Sequence, residues 1–267
     1  MIDAIQKHNQ PAAALWTQGG AGYDEISFQV SDALAHAVQR LWPRAGEKVL
    51  DVATGTGWTA RNAARWGAQV TAVDIGEDLL AAARELGAHI SPAIDFQLAD
   101  AENLPFGDGV FDRVVSTFGV MFAGDHEAAA EELARVCRPA GRLVLATWAP
   151  VGAVADFFAI GAKHSGAPPP AASPMAWGNP DYVSKLLDGH FDLLFETGVN
   201  QVYYPDAEAV WNLFTTGFGP VRALAERLEG DALEAYRDDF FAYHEKYAAA
   251  CGLHMKREYL LIMGARK

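Results

Sequence analysis

Apolar residues between positions 48 and 148 fall into short runs that alternate with longer amphipathic segments. Each run is rich in Val, Leu or Phe and is too short for a helix, which favours buried strands. Helical periodicity follows the first two runs, and Asp125 can cap a further helix. This alternation predicts βαβ units around a parallel sheet. The five predicted strands are residues 48–52, 69–73, 94–98, 110–116 and 142–148.

The pattern is less regular towards both ends of the chain. The glycine-rich stretch 19–24 lies between two helical segments, and its composition predicts a mobile connection that can close over a pocket. Apolar runs at residues 191–204 and 257–265 predict two more strands. Asp231 is a candidate N-cap for a helix between them, because apolar side chains follow it at steps of three or four.

These elements predict one domain, residues 1–267, with three parts. Residues 1–45 form N-terminal helices that act as a lid, and residues 46–150 form the ligand-binding core. A helical cap at residues 206–252 is inserted before the last strand. The cap is expected to cover an edge of the sheet and to contribute to a pocket.

Composition limits the partners of this domain. The chain has 34 acidic and 21 Lys or Arg residues, a net charge of −13, which repels phosphate backbones and anionic headgroups. A small molecule is therefore the expected partner, with no nucleic acid and no membrane insertion. The chain start lacks a basic region followed by an apolar run, which predicts a cytoplasmic protein. Cys137 and Cys251 lie far apart, and no metal site is predicted.

A glycine-rich turn between the first predicted strand and its helix carries the strongest chemical signal. Gly55 and Gly57 leave bare backbone for a ligand to approach at a helix N-terminus. Asp74 ends the next strand, where a carboxylate can accept hydrogen bonds from both hydroxyls of a ribose. The spacing points to a ligand that contains a nucleoside.

Two classes of nucleoside cofactor remain open at this point. Residues 55–60 fit the pattern G-x-G-x-x-G/A of dinucleotide-binding enzymes, so an NAD(P)-dependent oxidoreductase is an alternative. Asp51 argues against it, because a carboxylate at the end of the first strand would repel a pyrophosphate. The same carboxylate could hold a cationic amino group, directly or through water.

Further segments in this region resemble a known family. Residues 100–106, 111–119 and 133–143, together with the glycine-rich turn, resemble the ordered motifs of class I S-adenosylmethionine-dependent methyltransferases. The resemblance covers residues 48–148 and is greatest to the bacterial branch related to ubiquinone and menaquinone biosynthesis. It implies an α/β, Rossmann-like fold with a seven-stranded, mostly parallel sheet. Its last strand would be antiparallel, with helices on both faces.

The resemblance also implies roles for individual residues. Asp51, Ala53, Gly55 and Gly57 would line the methionine part of S-adenosylmethionine, Asp74 would bind the ribose, and Ile75 would pack on adenine. Asp100 and Ala101 would meet the adenine edge, Thr117 and Phe118 would line the passage to the acceptor, and Tyr23 could reach the methionine end.

Candidates for contact with the acceptor are less well defined. His126 could take a proton from a hydroxyl or amine, although a surface histidine at a helix start is the preferred interpretation. Trp211, His244 and Tyr247 of the predicted cap could contact the substrate, and apolar cap residues at helical spacing can equally be packing residues.

These observations predict S-adenosylmethionine-dependent methyl transfer to a small-molecule acceptor at O, N or C, with S-adenosylhomocysteine as the product. Such a reaction depends mainly on alignment and exclusion of water, so no acid–base constellation is required. An oxidoreductase and a non-catalytic S-adenosylmethionine-binding protein are the alternatives. The protein is expected to be a monomer or a homodimer.

Overall fold

The computed structural model describes residues 4–267, in which one mixed sheet lies between layers of helices. The strands are β1 (Lys48–Val52), β2 (Gln69–Asp74), β3 (Asp95–Leu98), β4 (Phe111–Thr117), β5 (Cys137–Trp148), β6 (Phe191–Tyr204), β7 (Ala248–Ala249) and β8 (Gly252–Arg266). The helices are α1 (Gln10–Trp16), α2 (Tyr23–Phe28), α3 (Ser31–Leu41), α4 (Trp58–Ala64), α5 (Glu77–Gly87), α6 (His126–Val136), α7 (Ala153–Ser165), α8 (Pro180–Leu187), α9 (Ala207–Gly217), α10 (Gly219–Arg227) and α11 (Gly230–Glu245).

The strand order β3-β2-β1-β4-β5-β8-β6 confirms the predicted fold class. Strands β1 to β5 pair in parallel, and β8 runs antiparallel to both β5 and β6. The two-residue strand β7 pairs with β8, so the sheet has eight strands rather than the predicted seven. The carboxyl ends of β1, β2 and β4 meet at one edge, where ligands of open α/β sheets bind.

The last strand is longer than its apolar run predicts. β8 begins at Gly252, because its first, more polar residues pair with β6 from Tyr204↔Leu253 onward. Strand pairing satisfies the backbone of residues 252–256 whatever their side chains are, so the hydrophobic pattern underestimates the strand. Arg257, the first residue of the predicted run, therefore lies inside β8, opposite Asn200.

The glycine-rich N-terminal stretch, predicted to be a mobile connection, forms helical turns that are kinked at Gly20, where φ is 48° and ψ is −142°. Residues Thr17–Gly22 form a 3-10 helix that continues into α2. A Cβ at Gly22 would lie 3.1 Å from the Cα of Gly217 in α9. The glycines thus permit close packing against the helices that precede β8, which their composition alone did not indicate.

Helices α9, α10 and α11 lie between β6 and β8 in the chain and have a core of their own. The aromatic side chains of Phe214, Tyr236, Phe240 and Tyr243 are buried in this cluster. Helix α11 begins at Gly230 after Glu229, without a side-chain cap, so the prediction of Asp231 as N-cap was wrong. Within the described part of the chain, no helix combines the length and apolar content needed to cross a membrane.

Candidate functional site

The turn between β1 and α4 takes a conformation that its residues determine. Ala53, Gly55 and Gly57 all have positive φ, at 57°, 57° and 85°. A Cβ at Gly55 would lie 3.1 Å from the Tyr23 ring, and one at Gly57 would lie 3.1 Å from the Phe96 ring. Both glycines are therefore needed for close packing as well as for backbone conformation.

A first cavity, here called the sheet-edge cavity, opens beside this turn at the carboxyl ends of the strands. It encloses about 930 Å³, including the space that opens to solvent. Two of the predicted cofactor residues, Asp51 and Gly57, are not among its lining residues. The predicted residues that do line it are Tyr23, Ala53, Gly55, Asp74, Ile75, Asp100, Ala101, Thr117 and Phe118.

Asp74 presents a buried, immobilised carboxylate to the sheet-edge cavity. The backbone N–H of Gly55 donates to its Oδ2 and that of Gly76 to its Oδ1, each at 2.8 Å. These bonds leave lone pairs on both oxygens for a ligand's hydroxyls. Burial raises the pKa of Asp74, and the backbone donors oppose that shift.

Asp51 lies behind the wall of this cavity and is fully buried. Its Oδ2 accepts a hydrogen bond from the Thr54 hydroxyl at 2.6 Å, whereas Oδ1 has no partner among residues 4–267. Burial raises the pKa of Asp51 to about 7, and the carboxylate of Asp74 adds to the shift. An unpaired buried carboxylate oxygen is suited to a cationic or protic group.

The N-terminal residues close one end of the sheet-edge cavity. Asp100 accepts hydrogen bonds from the backbone N–H of Gln6 and the Asn9 amide, both at 2.9 Å. His8 Nε2 lies 2.5 Å from Glu102 Oε2. Asn9 lines the cavity, and no sequence signal indicated this, because Asn9 precedes the glycine-rich turn by more than forty positions.

A second cavity, here called the aromatic cavity, adjoins the first between the sheet and helices α2, α7, α9 and α11. It encloses about 770 Å³, again including space open to solvent. Phe118 lies at the boundary with a φ of 56° and stacks on Trp148 at a centroid distance of 3.9 Å. The two cavities therefore meet at a common wall. The residues that line both are Trp16, Tyr23, Ser27, Val30, Phe118 and Phe122.

Two side chains with basic groups, His244 and Arg257, line this largely apolar cavity. His244 Nδ1 lies 2.7 Å from the Phe240 carbonyl, and burial lowers the His244 pKa to about 4. Arg257 donates from Nε to Asn200 Oδ1 at 2.7 Å and from Nη2 to the Gln29 carbonyl at 2.5 Å. Sequence reasoning missed Arg257, because one arginine inside a strand carries no spacing signal.

The other acceptor candidates lie outside both cavities. His126 is buried and its Nδ1 lies 2.8 Å from the Tyr182 hydroxyl, so the preferred interpretation of a surface histidine was wrong. It starts α6 with its ring turned towards Trp177 rather than solvent. Trp211 packs on Tyr236 and Phe240, and Tyr247 packs on Tyr243. Of the three cap candidates, His244 lines the aromatic cavity, and Trp211 and Tyr247 line neither of the two cavities.

Comparisons with known proteins agree with this geometry. A family model described as a methyltransferase domain matches residues 50–145. An uncharacterized protein of Mycobacterium tuberculosis is 35% identical across the whole of this chain and 99% of its own length. A demethylmenaquinone methyltransferase of Beutenbergia cavernae is 37% identical, over 51% of this chain and 62% of its own.

A solved structure extends the likeness in fold. Phosphoethanolamine N-methyltransferase 2 of Haemonchus contortus, in complex with S-adenosylhomocysteine, has a TM-score of 0.55 and 16% identity. The alignment covers 88% of this chain and 52% of that one. The family model and the demethylmenaquinone methyltransferase indicate a methyltransferase and not an NAD(P)-dependent oxidoreductase. The chain belongs to the class I S-adenosylmethionine-dependent methyltransferases and resembles the quinone-biosynthesis enzymes among them.

Proposed function

We propose that the protein transfers a methyl group from S-adenosylmethionine to a small molecule held in the aromatic cavity. The single observation that carries this proposal is the common wall between the two cavities, formed by six side chains. A methyl group passing between two ligands needs adjoining sites that are shielded from water. The aromatic cavity lies between the sheet and the cap helices, which favours a small acceptor over a macromolecule.

The sheet-edge cavity fits the cofactor that the family implies. Asp74 offers both carboxylate oxygens to ribose hydroxyls, and Ile75 and Ala101 offer apolar surface to adenine. Asp51 lies behind the cavity wall, so its unpaired Oδ1 would act on the amino group of the methionine part through a water molecule or through charge. When bound, S-adenosylmethionine supplies the methyl group from its sulfonium and becomes S-adenosylhomocysteine. A pyrophosphate would face two carboxylates at the same turn, which disfavours a dinucleotide.

The residues at the common wall act by position rather than by proton transfer. Tyr23, Phe118 and Phe122 line both cavities, so their rings would lie between the two bound ligands. Burial raises the pKa of Tyr23, so its hydroxyl stays protonated at neutral pH and can donate a hydrogen bond. These side chains exclude water and restrict the acceptor to approaches along the axis of transfer.

Calorimetric titration of the purified protein with S-adenosylmethionine, S-adenosylhomocysteine and NADPH tests the cofactor assignment. We expect micromolar binding of the two sulfur compounds and its loss in Asp74→Ala. Asp192→Ala is the matched control, since that carboxylate is 80% exposed and lies in β6. Selective binding of NADPH would contradict the proposal.

Formation of S-adenosylhomocysteine across a panel of aromatic acceptors tests turnover. The proposal predicts product with at least one acceptor that binds in the aromatic cavity. Tight cofactor binding without product from any acceptor that binds would favour the non-catalytic alternative.

A further inference from the structure

We infer that the acceptor is an aromatic acid whose anionic group pairs with Arg257, and whose protic group is received by His244. This inference deepens the proposed function and rests on it. It rests on two observations: Arg257 has no carboxylate partner within the described residues, and aromatic side chains line the cavity that it enters.

Arg257 is a partly buried arginine that lines the aromatic cavity without a carboxylate partner in the described part of the chain. Arg61 lies 3.1 Å from Asp24 and Arg113 lies 2.5 Å from Glu47, so each has a carboxylate partner. No carboxylate oxygen in residues 4–267 lies within the 4.0 Å salt-bridge distance of Arg257. Buried charges are normally paired, and a solitary cation in a cavity therefore indicates a missing anion.

The surroundings of Arg257 hold the guanidinium in place without neutralising it. It donates hydrogen bonds to the Asn200 amide oxygen and the Gln29 carbonyl, and the Tyr204 hydroxyl is a further partner; none of these groups is charged at neutral pH. The guanidinium also lies over the Trp148 ring, 5.6 Å from its centroid. The Asp32 carboxylate acts on Arg257 only through charge, and its Oδ1 accepts a hydrogen bond from Asn200 Nδ2 at 2.5 Å. The guanidinium retains N–H groups for a ligand, because it has five donors.

The aromatic side chains that line the rest of this cavity favour a ligand with a flat apolar ring system. Ring side chains from β5, from α7 and from α9 and its C-terminal end line the same cavity as Arg257. A flat apolar molecule gains from contact with several ring faces, whereas a fully polar anion would lose its hydration there. The rings used in this argument are Trp148, Phe157, Phe158, Phe214 and Phe218.

His244 adds a second polar contact of defined direction. A backbone carbonyl only accepts hydrogen bonds, so the Nδ1 that faces the Phe240 carbonyl carries the proton. The Nε2 lone pair is then free to accept, and no bond to it is formed within the described residues. His244 lines the aromatic cavity, where it can receive the hydroxyl or N–H of an acceptor.

Matched neutral and anionic probes test the contribution of Arg257. Binding of 2-naphthoate and of 2-naphthamide would be measured with S-adenosylhomocysteine present, using tryptophan fluorescence and calorimetry. We expect the wild type to bind the acid about tenfold more tightly than the amide, as a charge-assisted pair implies. Arg257→Met should abolish this preference and keep the affinity for S-adenosylhomocysteine within about twofold.

The wild-type comparison is decisive even if Arg257→Met does not fold. Equal binding of acid and amide by wild type, with S-adenosylhomocysteine still bound, overturns this inference and leaves the proposed function intact. Failure to bind S-adenosylhomocysteine overturns the proposed function itself. An acid preference that survives in folded Arg257→Met would also overturn the inference, whereas its retention in Arg257→Lys supports it.

A hydroxylated probe tests His244 separately. We expect wild type to bind 6-hydroxy-2-naphthoate several-fold more tightly than 2-naphthoate, and His244→Phe to remove that difference. The phenylalanine keeps an aromatic ring in the packing around Phe240 while deleting the acceptor nitrogen. An unchanged preference for the hydroxylated acid in folded His244→Phe would overturn the assignment of His244.

Discussion

The two adjoining cavities present charges of opposite sign. Asp74 and Asp100 line the sheet-edge cavity, with Asp51 behind them, whereas Arg257 is the charged group of the aromatic cavity. A cationic ligand is favoured on one side of the common wall and an anionic ligand on the other. In the proposed function, the opposite charges would direct the cofactor to the sheet-edge cavity and the acceptor to the aromatic cavity. The side chains at the common wall would then align the two ligands.

The two cavities also hold their polar groups in different ways. Backbone N–H groups of Gly55 and Gly76 hold the Asp74 carboxylate, so that side of the site depends on main-chain geometry. Arg257 depends instead on a side chain of β6 and a carbonyl at the end of α2. Single substitutions can therefore alter the acceptor side without disturbing the cofactor side.

Testing one variant, Asp74→Ala, with the two ligands gives the largest expected effect. Asp74→Ala should weaken binding of S-adenosylhomocysteine about 100-fold, because two hydrogen bonds to a buried carboxylate are lost. The same variant should leave the affinity for 2-naphthoate within about twofold. Calorimetry with each ligand checks both values. Loss of 2-naphthoate binding in a folded Asp74→Ala protein would show that the two cavities are one site.

The common wall can be tested at Phe118. Phe118→Ala should lower kcat about tenfold or more while changing the cofactor Kd much less, because the ring positions the acceptor at the boundary and stacks on Trp148. Single-turnover rates and cofactor titrations separate the two quantities. Phe106→Ala is the matched control, since its ring packs on Phe111 in the main core. Equal losses of kcat in both variants would indicate a general loss of structure.

The pH dependence of cofactor binding tests the carboxylate side. Asp51 has a pKa of about 7 and is largely neutral at pH 6 in the free protein. A cationic amino group nearby favours the ionised form, so binding should release a proton below pH 7 and strengthen as pH rises towards 7. Titrations at pH 6 to 7.5 in two buffers of different ionisation enthalpy measure the released proton.

Asp51→Asn provides the control for this titration. The amide is nearly isosteric and cannot ionise, so the pH-dependent part of the affinity, about tenfold across this range, should disappear. Thermal unfolding gives an independent check of sign. A raised folded-state pKa means that wild-type stability falls between about pH 4 and pH 7, relative to Asp51→Asn, as the unfolded carboxylate ionises first. Proton release that persists in Asp51→Asn would assign it to another group.

The sequence predicted most residues of the sheet-edge cavity but few residues of the aromatic cavity, and the reason is physical. The turn from Ala53 to Gly57 and the carboxylate of Asp74 follow consecutive strands, so their spacing predicted a shared location. Phe158, Phe218 and Arg257 come from α7, the end of α9 and β8, and only the tertiary fold brings them together. Local patterns carry no information about such distant partners.

The two histidines also show that local sequence patterns do not reveal which side chains reach a cavity. A variant of His126 gives the smallest expected effect. His126 and His244 were both plausible acceptor contacts, yet only His244 reaches a cavity, because His126 lies against Tyr182 and Trp177. His126→Gln should therefore leave kcat/KM within about twofold, since His126 lines neither cavity, while lowering the midpoint of thermal unfolding through the lost ring packing. The rate is measured with any acceptor that turns over, beside His244→Phe. A large fall in kcat/KM with unchanged stability would place His126 in the reaction and would require that the acceptor extend beyond the aromatic cavity towards α6.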